Sequence, residues 1–403
     1  MTRTANLKNK VGPFVVGDEF WDRDKEVASM LRLLGEGQNL LLVAPRRIGK
    51  TSMLREVARR LEEMKQHYTL FLDLQDCTKP EDMIVELSMG TRQYKNLWKK
   101  TKELMENFLG VVESVSVEMI ELKLREAFIS AWQTKGTRLL ANLAAADRPV
   151  IVFLDELPVM VSRILNINHH QGDELRSRTN EVDVFLSWLR KACTEHQGRI
   201  VFVVCGSIGL EPVLHQVNLS HTIAHLRPFH LDPWDRETAS GCLNALAAHD
   251  ELVLTTEVTD YMLDKLGSFI PHHVQMYYAY LRDYGTSGGP TDIADVDRIY
   301  DQFMLGPRGQ AELATYEERL GRVMGKERAI LAMEILTEAA KGILTQAVAE
   351  SMVSKSFSED PGKTARDILA VLVHDGYLAW EQATGVYRFV SLLVRDWWRR
   401  RYC

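Results

Sequence analysis

The sequence lacks the cysteine patterns that mark zinc sites and disulfide-stabilised domains. Its five cysteines are widely spaced and include no Cys-x-x-Cys pair, so neither a structural zinc site nor a disulfide framework is predicted. This usage fits a reducing compartment, and we expect a cytoplasmic location. The chain has no run of about 18 apolar residues that could span a membrane. Its first residues also lack the apolar stretch of a signal peptide.

Positive charge does not dominate the chain either. The formal net charge is −6 at pH 7, which argues against attraction of the whole molecule to nucleic acid or to an anionic membrane. One segment nevertheless carries a basic run, formed by Arg92, Lys95, Lys99, Lys100 and Lys102. Such a run is usually the solvated face of a helix, and a patch for nucleic acid or a protein partner is the less favoured alternative.

Short apolar runs alternate with longer helical patterns through the first part of the 403 residues. Four runs are predicted as β-strands, at residues 39–44, 68–74, 149–154 and 199–205. Their continuous apolar character indicates burial on both faces, as in a parallel sheet covered by helices. Residues 225–231 are predicted as a fifth strand from a weaker signal. The stretch 77–147 has no strand signal and is predicted as a helical insertion. Together these patterns predict an α/β core over residues 1–231.

The remainder of the chain is predicted to be mainly helical. Residues 232–305 contain four short helical patterns, at 233–248, 256–266, 271–283 and 292–303, which we interpret as a helical lid. Residues 306–403 contain three helices, at 327–340, 344–353 and 362–374, then two short strands around a turn at 381–385, and a final helix at 392–402. Three helices followed by a hairpin predict a winged-helix domain.

A phosphate-binding loop is predicted at residues 44–51, which read APRRIGKT and stand between a strand and a helix. Backbone N–H groups from Ile48 to Thr51 can converge on nucleotide phosphates at the positive end of the following helix. Gly49 allows the backbone to come close to a phosphate. The first glycine that is usual in such loops is replaced by Ala44, and an ordinary basic turn is the alternative interpretation.

The side chains of the loop have separate predicted roles. Lys50 is predicted to reach the β- and γ-phosphate oxygens, and the hydroxyl of Thr51 to ligate Mg²⁺, with Ser52 as a weaker candidate. Arg46 and Arg47 are predicted to contact phosphate, a neighbouring subunit or the lid. Four other arginines are candidates for acting on a neighbouring subunit's nucleotide, although each is more often a structural ion-pair partner: Arg176, Arg178, Arg190 and Arg227.

Two acids end the third predicted strand, which reads IVFLDE at residues 151–156. Asp155 is predicted to hold Mg²⁺ through water, and Glu156 to orient or deprotonate the attacking water. An acid at position 156 implies hydrolysis rather than binding alone. The fourth strand ends at Ser207, which could sense the γ-phosphate or align the water, with a plain strand-to-helix turn as the alternative.

Three segments that contain histidine are candidates for functional sites. The pairs 169–170 and 272–273 have no cysteine or acidic ligands at metal spacing, so a zinc site is not predicted. Residues 373–375, Val-His-Asp, resemble a nucleotide-sensing tripeptide of some signalling ATPases. Because Gly376 follows directly, a helix C-cap is the favoured interpretation.

These segments together resemble the archaeal-type ATPases of the STAND/AAA+ branch of P-loop proteins. The opening residues 20–26, FWDRDKE, are similar to the F-x-G-R-x-x-E segment of that family, with Asp22 at the glycine position. The resemblance implies that Phe20 and Arg23 border the adenine pocket. Residues 267–271, GSFIP, are similar to a lid motif whose proline, here Pro271, is implied to lie near the nucleotide base. The closing segment 387–398 is similar to the winged-helix end of the family.

The resemblance implies a Mg²⁺-dependent ATPase that acts as a conformational or assembly switch, with ATP or ADP as ligand. Self-association or a partner effector protein would then be expected, plausibly in defence or signalling. The first alternative is a DNA-handling AAA+ ATPase of the origin-recognition or transposition type. The near balance of acidic and basic residues in 326–403 makes DNA a weakly supported partner. The second alternative is a nucleotide-binding scaffold with negligible turnover.

Overall fold

The computed structural model of the protein describes residues 7–12, 14–109, 131–167, 170, 172–285, 291–356 and 360–403. The chain divides into two compact units. The first, which we call the sheet unit, comprises Asp24–Val43 and Glu56–His230. The second, the loop unit, comprises Met1–Arg23, Ala44–Arg55 and Leu231–Cys403. The predicted phosphate loop is therefore grouped with the C-terminal part of the chain.

The sheet unit contains a parallel sheet of five strands in the order β2-β3-β4-β1-β5. The strands are β1 (Leu40–Val43), β2 (Tyr68–Asp73), β3 (Val150–Asp155), β4 (Ile200–Val204) and β5 (Arg227–His230). Strands β3 and β4 are buried along their whole length, which explains their uninterrupted Val, Ile and Phe residues. The predicted α/β fold with a parallel-sheet core is confirmed.

Helices cover this sheet and fill the connections between its strands. They are α1 (Asp24–Gly35), α2 (Lys50–Met64), α3 (Pro80–Gly90), α4 (Lys95–Leu109), α5 (Trp132–Ala144), α6 (Leu157–Leu165), α7 (Gly172–Glu195) and α8 (Leu210–His215). The predicted helical insertion corresponds to α3, α4 and α5, and its part at 110–130 lies outside the described residues. All five cations of the basic run are exposed, as a solvated face requires.

The loop unit is mainly helical in its C-terminal part. Its helices are α9 (Arg236–His249), α10 (Thr256–Leu266), α11 (Pro271–Tyr284), α12 (Ile293–Ile299), α13 (Pro307–Met324), α14 (Lys326–Lys341), α15 (Gln346–Val353), α16 (Pro361–His374) and α17 (Leu392–Tyr402). A hairpin of β6 (Leu378–Glu381) and β7 (Val386–Phe389) precedes α17. The order of three helices, hairpin and helix after residue 325 matches the predicted order of elements, and its assignment as a winged helix stays a prediction.

Helix α13 was not predicted as a separate element. It spans 18 residues and buries Leu313, Tyr316, Leu320 and Val323, which recur at the three- and four-residue spacing of an amphipathic helix. A short π-helical turn, Tyr300–Met304, connects α12 to it. Among the described residues, no helix combines the length and apolar character needed to cross a membrane.

Candidate functional site

The acidic pair lies at the end of β3 in the sheet unit. Asp155 is the last residue of the strand and is only 8% exposed. Its Oδ1 accepts hydrogen bonds from the backbone N–H of Glu156 at 3.1 Å and from the thiol of Cys205 at 2.9 Å. Glu156 has a left-handed backbone with φ of 61° and is the N-cap residue of α6. The strand therefore stops at Asp155, and the chain turns at the following residue.

Ser207, after β4, contacts this acidic pair directly. The Glu156 carboxylate oxygen Oε2 accepts hydrogen bonds from the Ser207 backbone N–H at 2.8 Å and from its hydroxyl at 2.9 Å. The residue before Ser207 is Gly206, which has no Cβ atom. A Cβ atom at that position would lie 2.6 Å from Cδ of Pro158, so a larger residue would not fit there without movement. The segment is thus more than a plain turn, while the predicted action of Ser207 on phosphate or water stays a prediction.

The phosphate loop lies in the loop unit, where α2 begins at Lys50. Gly49 has φ of +91°, a conformation that favours glycine. The Lys50 Nζ donates hydrogen bonds to the carbonyl oxygens of Ala44 at 3.1 Å and Pro45 at 2.9 Å. Thr51 follows in the first turn of α2, and the Ser52 hydroxyl accepts a hydrogen bond from the backbone N–H of Val15 at 3.1 Å. The loop is thereby ordered by contacts with its own carbonyls and with the N-terminal segment.

The two arginines of the loop contact helix α13. The Arg46 Nη1 donates a hydrogen bond to the carbonyl oxygen of Thr315 at 3.1 Å. The Arg47 guanidinium forms an ion pair with the Glu312 carboxylate. Helix α13 lies outside the predicted lid at 232–305, so these partners were not foreseen. The contacts predicted with phosphate or a neighbouring subunit stay predictions.

Charges and histidines surround these arginines. A hydrogen bond from His272, together with the Arg47 cation, lowers the pKa of Glu312 to about 2, so this carboxyl is ionised at neutral pH. Burial lowers the pKa of the Arg46 guanidinium, and the Arg319 and Arg47 cations lower it further. The fully buried His273 is neutral, because burial lowers its pKa to about 3. Arg46 therefore lies in a locally positive environment, beside the Arg319 and Arg47 cations.

The end of α16 also contacts the phosphate loop. Asp375 is the C-cap residue of α16, as its sequence context predicted. It is buried and forms an ion pair of 3.0 Å with Arg319 of α13. Burial would raise the pKa of the Asp375 carboxyl, but the Arg319 cation, a hydrogen bond from His374 and the Lys50 cation together lower it. Gly376 then packs so closely that a Cβ atom there would lie 2.8 Å from Cβ of Pro45.

The residues implied to border the adenine pocket also lie in the loop unit. Phe20 is buried, and the Arg23 Nη2 donates a hydrogen bond to the carbonyl oxygen of Asp232 at 2.7 Å. Asp22 has φ of 55°, which explains physically why a glycine suits this position in the family pattern. Pro271 is buried at the start of α11. Their contact with a nucleotide base stays a prediction.

The four arginines proposed to act on a neighbouring subunit lie in the sheet unit, and that action stays a prediction. Arg176 and Arg178 form ion pairs within α7, with Asp173 and Glu181, and Arg190 and Arg227 are exposed. His169 lies outside the described residues. Within the part of the chain that is described, no group of three or more histidine, cysteine or acidic residues is arranged to hold a metal ion.

Several residues beside the loop were not predicted to lie there. Glu312 and Arg319 contact Arg47 and the end of α16, and no motif marks them. His272 was considered only as a metal ligand, and it lies beside Glu312. The apolar spacing of α13 was the one signal available, since it predicts a helix whose polar positions include Glu312. Which element this helix would contact could not be derived from spacing.

Comparison with known proteins places the chain in a family. A model described as an ATPase domain predominantly from Archaea matches residues 20–245, which is more than half of the chain. No match was found among the curated proteins. A Walker-type ATPase of Pyrococcus abyssi is similar in structure, with a TM-score of 0.64 and 16% sequence identity, over 99% of this chain and 100% of that one.

A second solved structure supports the same fold. The ORC2 protein of Aeropyrum pernix, in ADPNP–ADP complexes, has a TM-score of 0.51 and 12% identity, over 97% of this chain and 94% of that one. Sequence identities this low support only a shared fold. The assignment to a family therefore rests on the match to the family model. The chain therefore belongs to the archaeal-type ATPase family, and it is a P-loop ATP hydrolase with an α/β core built on a parallel sheet.

Proposed function

We propose that the protein is a Mg²⁺-dependent ATPase that acts as a nucleotide-controlled conformational or assembly switch of the STAND type. One observation carries the proposal: the phosphate loop is contacted by α13 and by the end of α16, far away in sequence. Occupancy of the loop would therefore act directly on the C-terminal helices. This is the coupling that a switch requires.

The residue types proposed for the site suit an anionic nucleotide and Mg²⁺. In the loop unit these are Lys50 and the Thr51 hydroxyl. In the sheet unit, Asp155 has a carboxylate oxygen, which is the hard ligand type that Mg²⁺ prefers. Two buried nitrogens beside the loop arginines, Nε of Arg319 and Nδ1 of His273, have no hydrogen-bond partner among the described residues. Bound Mg²⁺ would neutralise charge that develops on the phosphates.

Hydrolysis is proposed to depend on Glu156. Its carboxylate is fixed by the two hydrogen bonds from Ser207, and a carboxylate held in one direction can accept a proton from an attacking water or orient that water. Lys50 would stabilise the phosphate charge, and Asp155 would hold Mg²⁺ through water. Glu156 is the feature that favours turnover over the alternative of a nucleotide-binding scaffold.

Two substitutions test this proposal. Lys50→Ala should reduce ATP affinity at least tenfold, because the ammonium is the main phosphate ligand from a side chain. Glu156→Gln should keep ATP binding and lower turnover by two or more orders of magnitude, on the order of the contribution of a general base. Equilibrium binding of ATP and steady-state phosphate release, both with Mg²⁺, measure the two effects.

The controls separate catalysis from folding. Glu174→Gln changes an exposed carboxylate of α7 and should leave binding and turnover unchanged. Turnover at the wild-type rate in Glu156→Gln would remove Glu156 from its proposed role. Tight ATP binding with no turnover in the wild type, with any partner, would favour the scaffold instead.

The biological setting is also a proposal. A cytoplasmic switch in defence or signalling, with self-association or an effector protein as output, is the setting we favour. DNA handling through the proposed winged helix is less well supported, because the exposed cations of α16 are limited to Lys363 and Arg366 and Arg366 lies 3.5 Å from Glu350. Steeply salt-dependent DNA binding would revive that alternative.

A further inference from the structure

Arg47, for which the sequence predicts a contact with phosphate, a neighbouring subunit or the lid, binds a carboxylate of the protein. Its Nη2 forms an ion pair with Oε2 of Glu312. A guanidinium recognises carboxylates and phosphates with the same planar arrangement of N–H donors. The two acceptors therefore compete for one cation if both can reach it.

The contact with Glu312 joins three elements. Glu312 belongs to α13, Arg47 to the phosphate loop, and His272 of α11 lies 3.4 Å from the same carboxylate oxygen. The backbone N–H of His272 also donates to the carbonyl oxygen of Arg47, at 3.4 Å. Both loop arginines thus hold α13, since Arg46 bonds to Thr315 one turn further along that helix.

The backbone at Arg47 supports a specific role for this contact. Its φ of 64° lies in the left-handed region, which is uncommon for a residue with a side chain and persists where surrounding contacts maintain it. Arg47 has this backbone conformation in the turn that carries its side-chain contact with α13. Non-glycine residues held in this way often occur at switches and ligand sites.

The charged groups that interact around the loop include more cations than carboxylates. The charged groups that interact electrostatically here comprise four cations and two carboxylates. The cations are Arg46, Arg47, Lys50 and Arg319, and the carboxylates are Glu312 and Asp375. Four positive charges face two negative ones within this group. A nucleoside triphosphate would bring negative charge to this group, in which Glu312 is already paired with Arg47.

We propose that Glu312 is an internal competitor of the nucleotide phosphates for Arg47, so that triphosphate binding at the loop releases α13. The inference rests on the proposed ATP site. In this arrangement the Arg47–Glu312 pair is an autoinhibitory latch, and its opening is the first step by which the nucleotide state reaches the C-terminal helices. The free energy needed to break the pair reduces the observed ATP affinity.

The test compares binding of a non-hydrolysable ATP analogue, with Mg²⁺, across a set of full-length variants. Glu312→Gln should bind the analogue about fivefold more tightly than the wild type, because the competing charge is removed. Glu318→Gln is the matched control, since Glu318 is an exposed carboxylate of the same helix that pairs with Arg322, and its affinity should equal that of the wild type. In an Arg47→Met background, Glu312→Gln should have no effect on affinity.

A second measurement tests the Arg47–Glu312 contact through protein stability. A double-mutant cycle on thermal unfolding should give a coupling between positions 47 and 312 without nucleotide, and that coupling should disappear with saturating analogue. If Glu312→Gln does not fold, Glu312→Ala, which also removes the charge, replaces it in both measurements. Unchanged or weaker affinity in the Glu312 variant, or a coupling that persists with the analogue, would overturn the proposal.

The two proposals can fail separately. If the wild type binds the analogue, Lys50→Ala does not, and Glu312→Gln leaves the affinity unchanged, the latch is wrong and the ATP site stands. If Lys50→Ala binds as tightly as the wild type, the ATP site is wrong and the latch falls with it.

Discussion

Hydrogen bonds from Ser207, after the end of the neighbouring strand β4, fix the orientation of the Glu156 carboxylate. The left-handed backbone at this residue turns the chain, and Ser207 holds its carboxylate with a backbone and a side-chain hydrogen bond. A hydrogen bond to a charged group contributes on the order of 1.5–3 kcal/mol. The serine is therefore expected to restrict the positions that the carboxylate can adopt.

Substitution of Ser207 tests that expectation. Ser207→Ala removes the hydroxyl donor and keeps the backbone donor, so we expect turnover to fall about tenfold while ATP affinity stays within about twofold. Steady-state hydrolysis and equilibrium binding give the two quantities. Ser207→Thr keeps a hydroxyl and should restore most of the turnover. A rise in turnover in Ser207→Ala would instead mean that the serine holds Glu156 away from its reaction.

The close packing at the beginning of helix α13 requires a glycine at position 309. A Cβ atom at Gly309 would lie 2.0 Å from the carbonyl oxygen of Met304, a backbone atom of the preceding π-helical turn. No side chain fits there without movement of the backbone. Gly321, later in the same helix, has open space around its Cα atom.

This difference gives a paired stability prediction. Gly309→Ala should lower the free energy of unfolding by roughly 1–3 kcal/mol through overpacking. Gly321→Ala should raise it by about 0.5–1 kcal/mol, because alanine favours the helix over glycine. Urea unfolding followed by circular dichroism measures both. Equal effects of the two substitutions would contradict the close packing at the start of α13.

At the scale of the whole molecule, the phosphate loop is grouped with the residues after Leu231. The buried polar side chains next to it include His273, whose pKa burial lowers to about 3, with further lowering by the His272 and Arg47 charges. The usual histidine value is 6.5. The unfolded chain therefore binds more protons than the folded one between these two values, and folding loses stability there as pH falls.

We accordingly expect the free energy of unfolding to decrease as the pH is lowered from 7 to 5. The pKa of Glu312 is lowered to about 2 from 4.5, so its own contribution is lost only below that interval. Urea unfolding at several pH values should show a weaker pH dependence for His273→Asn than for the wild type. His221→Asn, at an exposed position, is the control. An unchanged slope in His273→Asn would contradict the burial argument.

Much of this architecture could be predicted from local patterns. Continuous apolar runs predicted β1 to β4, because burial on both faces favours continuous Val, Ile and Leu residues. The signal for β5 was weaker, and only Phe229 is buried in that strand. The residues of the loop 44–51 and the pair Asp155 and Glu156 could be picked out because their chemistry depends on short spacing along the chain. The helical insertion and the order of the last elements were likewise readable from their patterns.

Only the tertiary structure decided what these residues contact. Ser207 is bonded to Glu156 because β3 and β4 are neighbours, although about fifty residues separate them. Glu312 and Asp375 lie beside the phosphate loop because α13 and the end of α16 pack on it, across more than 260 residues. Periodicity in a sequence determines which face of an element is buried, whereas the partner of that face depends on packing among all elements at once. The sequence therefore determined the chemistry of the loop, and the fold decided which carboxylate its arginine binds.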